Sequence, residues 1–280
     1  MKITVLLENS KFKGSNLNIE HGLSMFIEKN GFNVLFDLGG SKECGIKNAA
    51  ILGIDLSMVN IVAISHGHSD HTGGLMKFLE INDNAQVYVK KEALYPHYSK
   101  RPEGMKYIGM NGEIVEKYPD RFIFVNETTE IAQNIFLVPQ INKNYSIPSC
   151  NQILFAEEDK KLVNDTFEHE LFMVIENNDN LIIFSGCGHS GIKNIVDTAK
   201  NLFPDKKIES VIGGFHLQAG SLDYALADEE EIEDIANWLK SEVSGQIYTG
   251  HCTGERGMNL MKPILKDRLE RIYTGMKIIF

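Results

Sequence analysis

Three of the chain's nine histidines fall within six residues, in the run His66-Gly67-His68-Ser69-Asp70-His71. The preceding residues, Asn60-Ile61-Val62-Ala63-Ile64-Ser65, suit a buried strand, and Thr72 to Leu79 begin a helix. The cluster therefore occupies a strand-to-helix loop, which calls for a layered α/β fold. Alternate residues of an extended segment point the same way, so His66 and His68 can grip one ion together. Asp70 and His71, on the turn into the helix, can face a second ion or the other side of the first. Imidazole and carboxylate donors suit zinc, and also iron or manganese, and a catalytic site keeps a coordination position open. One or two divalent ions are expected.

Further apolar runs predict strands at Ile3–Leu7, Val34–Asp37, Ala85–Val89, Phe122–Val125, Leu171–Ile175, Leu181–Ser185, Ser210–Gly213 and Gln246–Thr249, beside Ile61–Ser65. Several run into a Gly, His, Asp or Cys, and reactive side chains collect where strands stop. Asp37 either orients a ligand's far ring nitrogen or simply starts the turn toward Gly39-Gly40. Cys187 and His189 lie in the glycine-rich loop after Leu181–Ser185. His189 is a candidate ligand, and Cys187 is a ligand or a buried thiol. His251 follows another strand as a candidate ligand, whereas Cys252 points the other way in extended chain and reads as structural. His216, after Gly213-Gly214, can be a ligand, a general acid or base, a substrate contact or a core histidine. His21, His97 and His169 have weaker surroundings and read as structural or peripheral.

Helical spacing of Ile232, Ile235, Ala236, Leu239 and Val243 predicts a helix over Asp228–Val243, with Asp228 as its cap. Ile192, Ile195, Val196, Ala199 and Leu202 mark another. The 280 residues suit one domain, in which residues 92–151, rich in Tyr, Lys, Pro and Asn, read as a lid or recognition insert or as a variable surface excursion. A net charge of −10 argues against nucleic-acid binding, while leaving room for a local basic pocket and an anionic small molecule. No run of apolar residues is long enough to span a membrane, and MKITVLLENS reads as a first strand. Four scattered cysteines beside such an N-terminus lead us to expect reduced thiols and the cytoplasm.

His66-Gly67-His68-Ser69-Asp70-His71 followed by Thr72-Gly73-Gly74 resembles the metal-binding motif of the metallo-β-lactamase superfamily. Leu7-Glu8-Asn9, His21-Gly22-Leu23-Ser24, Ser185-Gly186-Cys187-Gly188-His189, Gly213-Gly214-Phe215-His216-Leu217 and Gly250-His251-Cys252-Thr253-Gly254 together resemble its branch named after 7,8-dihydropterin-6-methyl-4-(β-D-ribofuranosyl)aminobenzene-5′-phosphate synthase. The resemblance implies a four-layer αββα sandwich, with His66 and His68 serving a first metal and Asp70, His71 and His251 a second. It departs at the remaining ligands. The residues before Leu181–Ser185 offer only Asp165, Glu168 and His169, and Cys187 stands at the bridging position. Either His189 substitutes, or one metal is held firmly and a second weakly.

The chemistry implied is metal-assisted attack at a carbonyl, phosphoryl or diphosphate-bearing centre, by a hydrolase or a transferase. Asp70 and His251 would position water or leaving group, and His216 would carry a proton. The branch name implies condensation of a dihydropterin-methyl diphosphate with a ribosylaminobenzene phosphate; Tyr95, Tyr98 and Tyr107 could then stack a flat ring and Lys100 and Arg101 meet phosphate. A non-catalytic ligand sensor is one rival. A di-iron redox protein is another, disfavoured because such proteins carry Glu where His68 stands.

Overall fold

All nine predicted runs form strands, since their β-branched and aromatic residues fit a pleated, buried surface. In this computed structural model, which describes residues 1–219 and 225–280, they are divided between two units. The first comprises Met1–Asn126, Leu154–His169 and Tyr273–Phe280, and the second Glu127–Ile153 and Glu170–Ile272.

The first unit carries a seven-stranded sheet in the order Lys277–Ile279, Lys2–Leu7, Ser24–Lys29, Phe32–Phe36, Ile61–Ala63, Gln86–Val89, Phe122–Phe124. Pairing is antiparallel up to Phe32–Phe36 and parallel from there on. The strand Ser24–Lys29 was not among the predicted runs, although its turn was readable. Asn30 and Gly31 both take positive φ (52° and 80°), as a two-residue Asn-Gly hairpin requires. One face of the sheet packs Leu6, Phe26, Leu35, Val62 and Val87 against Leu75, Phe78 and Leu79 of the helix Leu75–Leu79.

The second unit has its own seven-stranded sheet, in the order Leu269–Arg271, Ile247–Thr249, Lys207–Gly213, Asn180–Phe184, Phe172–Asn177, Ile135–Val138, Thr129–Ala132. Its first four strands run parallel. Both predicted helices form here. Ile192–Leu202 buries Ile192, Ile195, Val196 and Ala199, and Glu229–Glu242 buries Ile232, Ile235, Ala236 and Leu239. Asp228 caps the latter by accepting the Glu231 N–H at 2.8 Å.

Residues 92–151 contribute strands to three sheets. Phe122–Phe124 joins the first and Thr129–Ala132 and Ile135–Val138 the second, while His97–Arg101 and Gly104–Tyr107 form a small four-stranded antiparallel sheet with Leu154–Glu158 and Lys161–Asn164 in the first unit. The small sheet is half-exposed, so its apolar signal is too weak to mark it in the sequence. Among the described residues, no helix is long and apolar enough to cross a membrane.

Candidate metal centre

The histidine loop begins where the strand Ile61–Ala63 ends and runs into a short helix, Ser69–Thr72. A second helix resumes at Leu75, so the single predicted helix is broken at Gly73-Gly74. There the chain presses on its neighbour: a Cβ on Gly73 would lie 2.1 Å from the Gly40 carbonyl oxygen. Gly67 is equally constrained, since a Cβ there would meet the Ala93 carbonyl oxygen at 2.4 Å. Glycine lets the loop sit deep, and His66, His68 and His71 are all buried.

Within the first unit the loop brings its donors together. His66, His68 and Asp70 each offer an atom within 4.8 Å of the others, and His71 Nε2 lies 3.7 Å from Asp70 Oδ2. Asp37 organises them from behind. Its buried carboxylate accepts the His71 Nδ1–H at 2.7 Å, the Ser65 N–H at 2.8 Å and the Ser65 hydroxyl at 2.7 Å. Ser65 Oγ, whose one proton goes to Asp37, in turn faces His66 Nδ1 at 2.8 Å and must accept from it. Both rings are therefore held as the Nδ1–H tautomer, with the lone pair on Nε2. That is the state a metal ligand needs. Asp37 itself takes φ 58°, in the left-handed region that few residues but Gly, Asn and Asp accept.

Three histidines set aside in the sequence lie beside this loop. His21 Nε2 is 3.1 Å from Asp70 Oδ2. His97 and His169 share a buried carboxylate, with Asp165 Oδ2 2.9 Å from His97 Nδ1 and 3.2 Å from His169 Nε2. The Gly67 N–H donates to His169 Nδ1 at 3.0 Å, so His169 carries its proton on Nε2. With both nitrogens engaged, His169 holds the loop by its backbone. Burial alone would push the Asp165 carboxyl up, but the hydrogen bonds from His169 and His97 prevail and hold it well below the usual carboxylate range. The sequence carried only a weak signal for this network, since its members are spread over residues 67 to 169.

His66 and His68 are held well below the ordinary imidazole range, first by burial and then by neighbouring imidazoles, and burial and His97 lower His169 despite Asp165. All three are neutral at pH 7, and this fixes a pH dependence. Their folded-state pKa values lie below the unfolded value near 6.5, so below that pH the unfolded chain binds protons that the folded chain refuses. Metal-stripped protein should lose stability as pH falls through and below 6.5, by at most about 1.4 kcal/mol per pH unit for each histidine and only while the pH stays above its folded-state pKa. Denaturant midpoints at pH 7.5, 6.5 and 5.5 would measure it, and a flat profile would show that the rings protonate within the fold.

In the second unit, the candidates gather around one sulfur. His189, His216, His251 and Cys252 each offer a donor atom within 4.8 Å of Cys187 Sγ. The rings of His189 and His216 are 4.1 Å apart at their centroids. His216 and His251 take φ 47° and 50°, strained values for histidine of the kind found at functional sites. Two residues absent from the sequence reading secure His189. Glu170, fully buried before the strand Phe172–Asn177, accepts the His189 N–H at 2.8 Å and the Ser190 N–H at 2.6 Å. Asn151 donates to the His189 carbonyl at 2.8 Å, which turns its amide oxygen to His189 Nδ1 at 3.1 Å and leaves the lone pair on Nε2. Burial raises the Glu170 carboxyl against the pull of these amides. Burial also opposes ionisation of Cys252, yet the hydrogen bond from Cys187 and the imidazoles of His251 and His216 hold its thiol well below the usual range.

Tautomers fixed with Nε2 lone pairs, neutral buried imidazoles and close carboxylates all fit a divalent cation. Residues 18–141 match the family model for the metallo-β-lactamase superfamily. Over its whole length the chain is 31 % identical to 97 % of the 7,8-dihydropterin-6-methyl-4-(β-D-ribofuranosyl)-aminobenzene-5′-phosphate synthase of Methanocaldococcus jannaschii. It superposes on Tm1679, a metal-dependent hydrolase of the β-lactamase superfamily, with TM-score 0.83 and 33 % identity, covering 100 % of this chain and 99 % of the other. Zn²⁺-bound PqqB of Methylobacterium extorquens, at 12 % identity and TM-score 0.61 with both chains wholly covered, shares the fold alone. The strand-to-helix histidine loop, the seven-stranded sheet in each unit and these full-length likenesses lead to one conclusion: the chain belongs to the metallo-β-lactamase superfamily, in the branch that contains the M. jannaschii synthase.

Proposed function

We propose that this protein is a metal-dependent hydrolase or transferase acting on a small phosphorylated or heterocyclic substrate. The observation that carries the proposal is the Asp37–Ser65 arrangement, which engages Nδ1 of both His66 and His71 and so turns their Nε2 atoms toward a cation. A structural histidine cluster has no need of a common tautomer. His66, His68, Asp70 and His71 would hold the ion, zinc by its donor set. A bound divalent ion supplies Lewis acidity, polarising a carbonyl or phosphoryl oxygen and lowering the pKa of water to about 7. His189, His251 and Cys187 are the second unit's own candidate ligands.

Asp70 accepts hydrogen bonds and can orient the attacking or leaving oxygen, a role we also give to His251. Lys90, nearly buried, lies close enough to His169 to disfavour its charged form, and its charge suits an anionic substrate. The hairpin of His97–Arg101 and Gly104–Tyr107 leads directly to the histidine loop. Gly109 bridges to His68, and the Ser69 N–H donates to the Ile108 carbonyl at 2.7 Å. Tyr98 and Tyr107, in edge contact at 5.5 Å, are the hairpin's aromatic surface, which supports a recognition role for this part of residues 92–151. The named synthase among the relatives makes a dihydropterin diphosphate the first transferase substrate to try.

The test is metal analysis of the purified protein, followed by reloading with zinc, iron or manganese and assays on phosphodiester, lactone and dihydropterin-diphosphate substrates. Hydrolysis supported by bound ions supports the hydrolase form. Turnover of the pterin alone, with an arylamine acceptor, supports the transferase. Stoichiometric metal with no turnover of any class would overturn the proposal in favour of a ligand sensor.

A further inference from the structure

Three consecutive parallel strands of the second unit, Asn180–Phe184, Lys207–Gly213 and Ile247–Thr249, end side by side. The loops leaving those ends carry Cys187, His216 and Cys252. All three side chains are buried, at 3 %, 4 % and 2 % exposure, and one donor atom from each lies within 4.8 Å of the other two. Parallel pairing thus assembles two sulfurs and an imidazole from residues 65 positions apart in the chain.

Local chemistry has made room for them. Gly214 leaves space for the Cys252 sulfur, since a Cβ there would stand 2.5 Å from Cys252 Sγ. The His216 loop is tied to the Cys252 loop by the Phe215 N–H, which donates to Thr253 Oγ1 at 3.1 Å, and Thr249 Oγ1 donates to the Gly213 carbonyl at 2.7 Å. His216 is the telling residue. Both its ring nitrogens are buried and neither meets an oxygen or nitrogen partner; the Cys252 thiol interacts with the ring. A buried imidazole left this way forfeits its solvation without a strong hydrogen bond in return. Coordination through one nitrogen removes that penalty.

We infer that Cys187, His216 and Cys252 form a soft S₂N site for a thiophilic cation of the zinc class, separate in membership from the histidine-loop set. Thiolate and imidazole donors select zinc, and three protein ligands leave one tetrahedral position for another donor. Cys187 then belongs with Cys252 instead of bridging in the imidazole and carboxylate set. His216 takes the ligand role among those open to it, and Cys252 is more than a structural thiol. The inference goes beyond the proposed hydrolase or transferase activity: it takes Cys187 from the candidate ligands named there and uses none of His66, His68, Asp70 and His71.

The experiment uses the full chain, reduced, stripped of metal and titrated with Co²⁺ as a spectroscopic stand-in for zinc. The expected result is near-ultraviolet sulfur-to-cobalt charge-transfer absorption that survives in His68→Ala and loses one thiolate's share in Cys252→Ser. Cobalt binding without that absorption, a band unchanged by Cys252→Ser, or a band lost in His68→Ala would each overturn the site. The last outcome would assign Cys187 to the histidine-loop set. Because a buried Cys→Ser change can unfold the chain, zinc X-ray absorption of His68→Ala, whose sulfur cluster is intact, gives a second measure. Two sulfur scatterers at about 2.3 Å are expected there, and one or none overturns the assignment. Failure of the hydrolase or transferase proposal would show instead as missing turnover with the sulfur signal in place.

Discussion

His68→Ala is expected to remove the cation held by the histidine loop and turnover together, with a fall in turnover of about a thousandfold or more. His68 is buried and has Asp70 and His66 within 4.8 Å, so its loss opens the centre of the donor set. The metal's contribution to such reactions is several kcal/mol, and each 1.36 kcal/mol is a factor of ten in rate. Asp70→Asn keeps the shape and removes the charge, and should weaken the metal while leaving the fold intact. Metal stoichiometry by mass spectrometry and steady-state kinetics on the same samples would check both variants. Full activity with full metal content in either would show that the loop is not the reactive centre. Calorimetric unfolding of His68→Ala separates loss of a ligand from loss of the fold.

Asp37 gives the second large effect, although we place it behind the metal ligands. Asp37→Ala strands three buried donors, from the Ser65 backbone, the Ser65 hydroxyl and His71 Nδ1. Each costs about 1–3 kcal/mol when left unsatisfied, so a loss of about 3 kcal/mol or more in stability is expected. Asp37→Asn is the sharper test. His71 Nδ1 and the Ser65 hydroxyl share Asp37 Oδ2, and the Ser65 N–H takes Oδ1, so the NH₂ of an Asn faces either the Ser65 N–H or both of the others and breaks the arrangement that fixes His66 and His71. Metal affinity should drop about 10–100-fold while the far-ultraviolet circular dichroism is unchanged. Wild-type affinity in Asp37→Asn, measured by competition with a chromophoric chelator, would mean that the tautomers are set by something else.

Much of this molecule was legible from short segments of sequence. The nine apolar runs, the helices at Ile192–Leu202 and Glu229–Glu242 and the Asp228 cap are all decided by patterns within a dozen residues. The hairpin into Ser24–Lys29 was missed despite its Asn30-Gly31 turn, because the run Ser24 to Lys29 has charged residues at its end. The small sheet was missed because exposed strands lack the periodic contrast that burial imposes.

By itself the sequence determined the histidine loop. Six contiguous residues between an apolar strand and a glycine-broken helix can only present His66, His68, Asp70 and His71 from one turn of chain, since alternation and helix entry are local geometry. Only the tertiary structure decided which tautomers those rings carry, and which partners stand behind them. Asp37 reaches Ser65 and His71 across 28 and 34 residues, and His169 reaches Gly67 across 102. It likewise brought Cys187, His216 and Cys252 to one point, because neighbouring strands in a parallel sheet are joined by long crossovers. Hydrogen bonding and coordination act over about 3 Å, and residues so far apart in sequence come within that reach only after the sheets have formed.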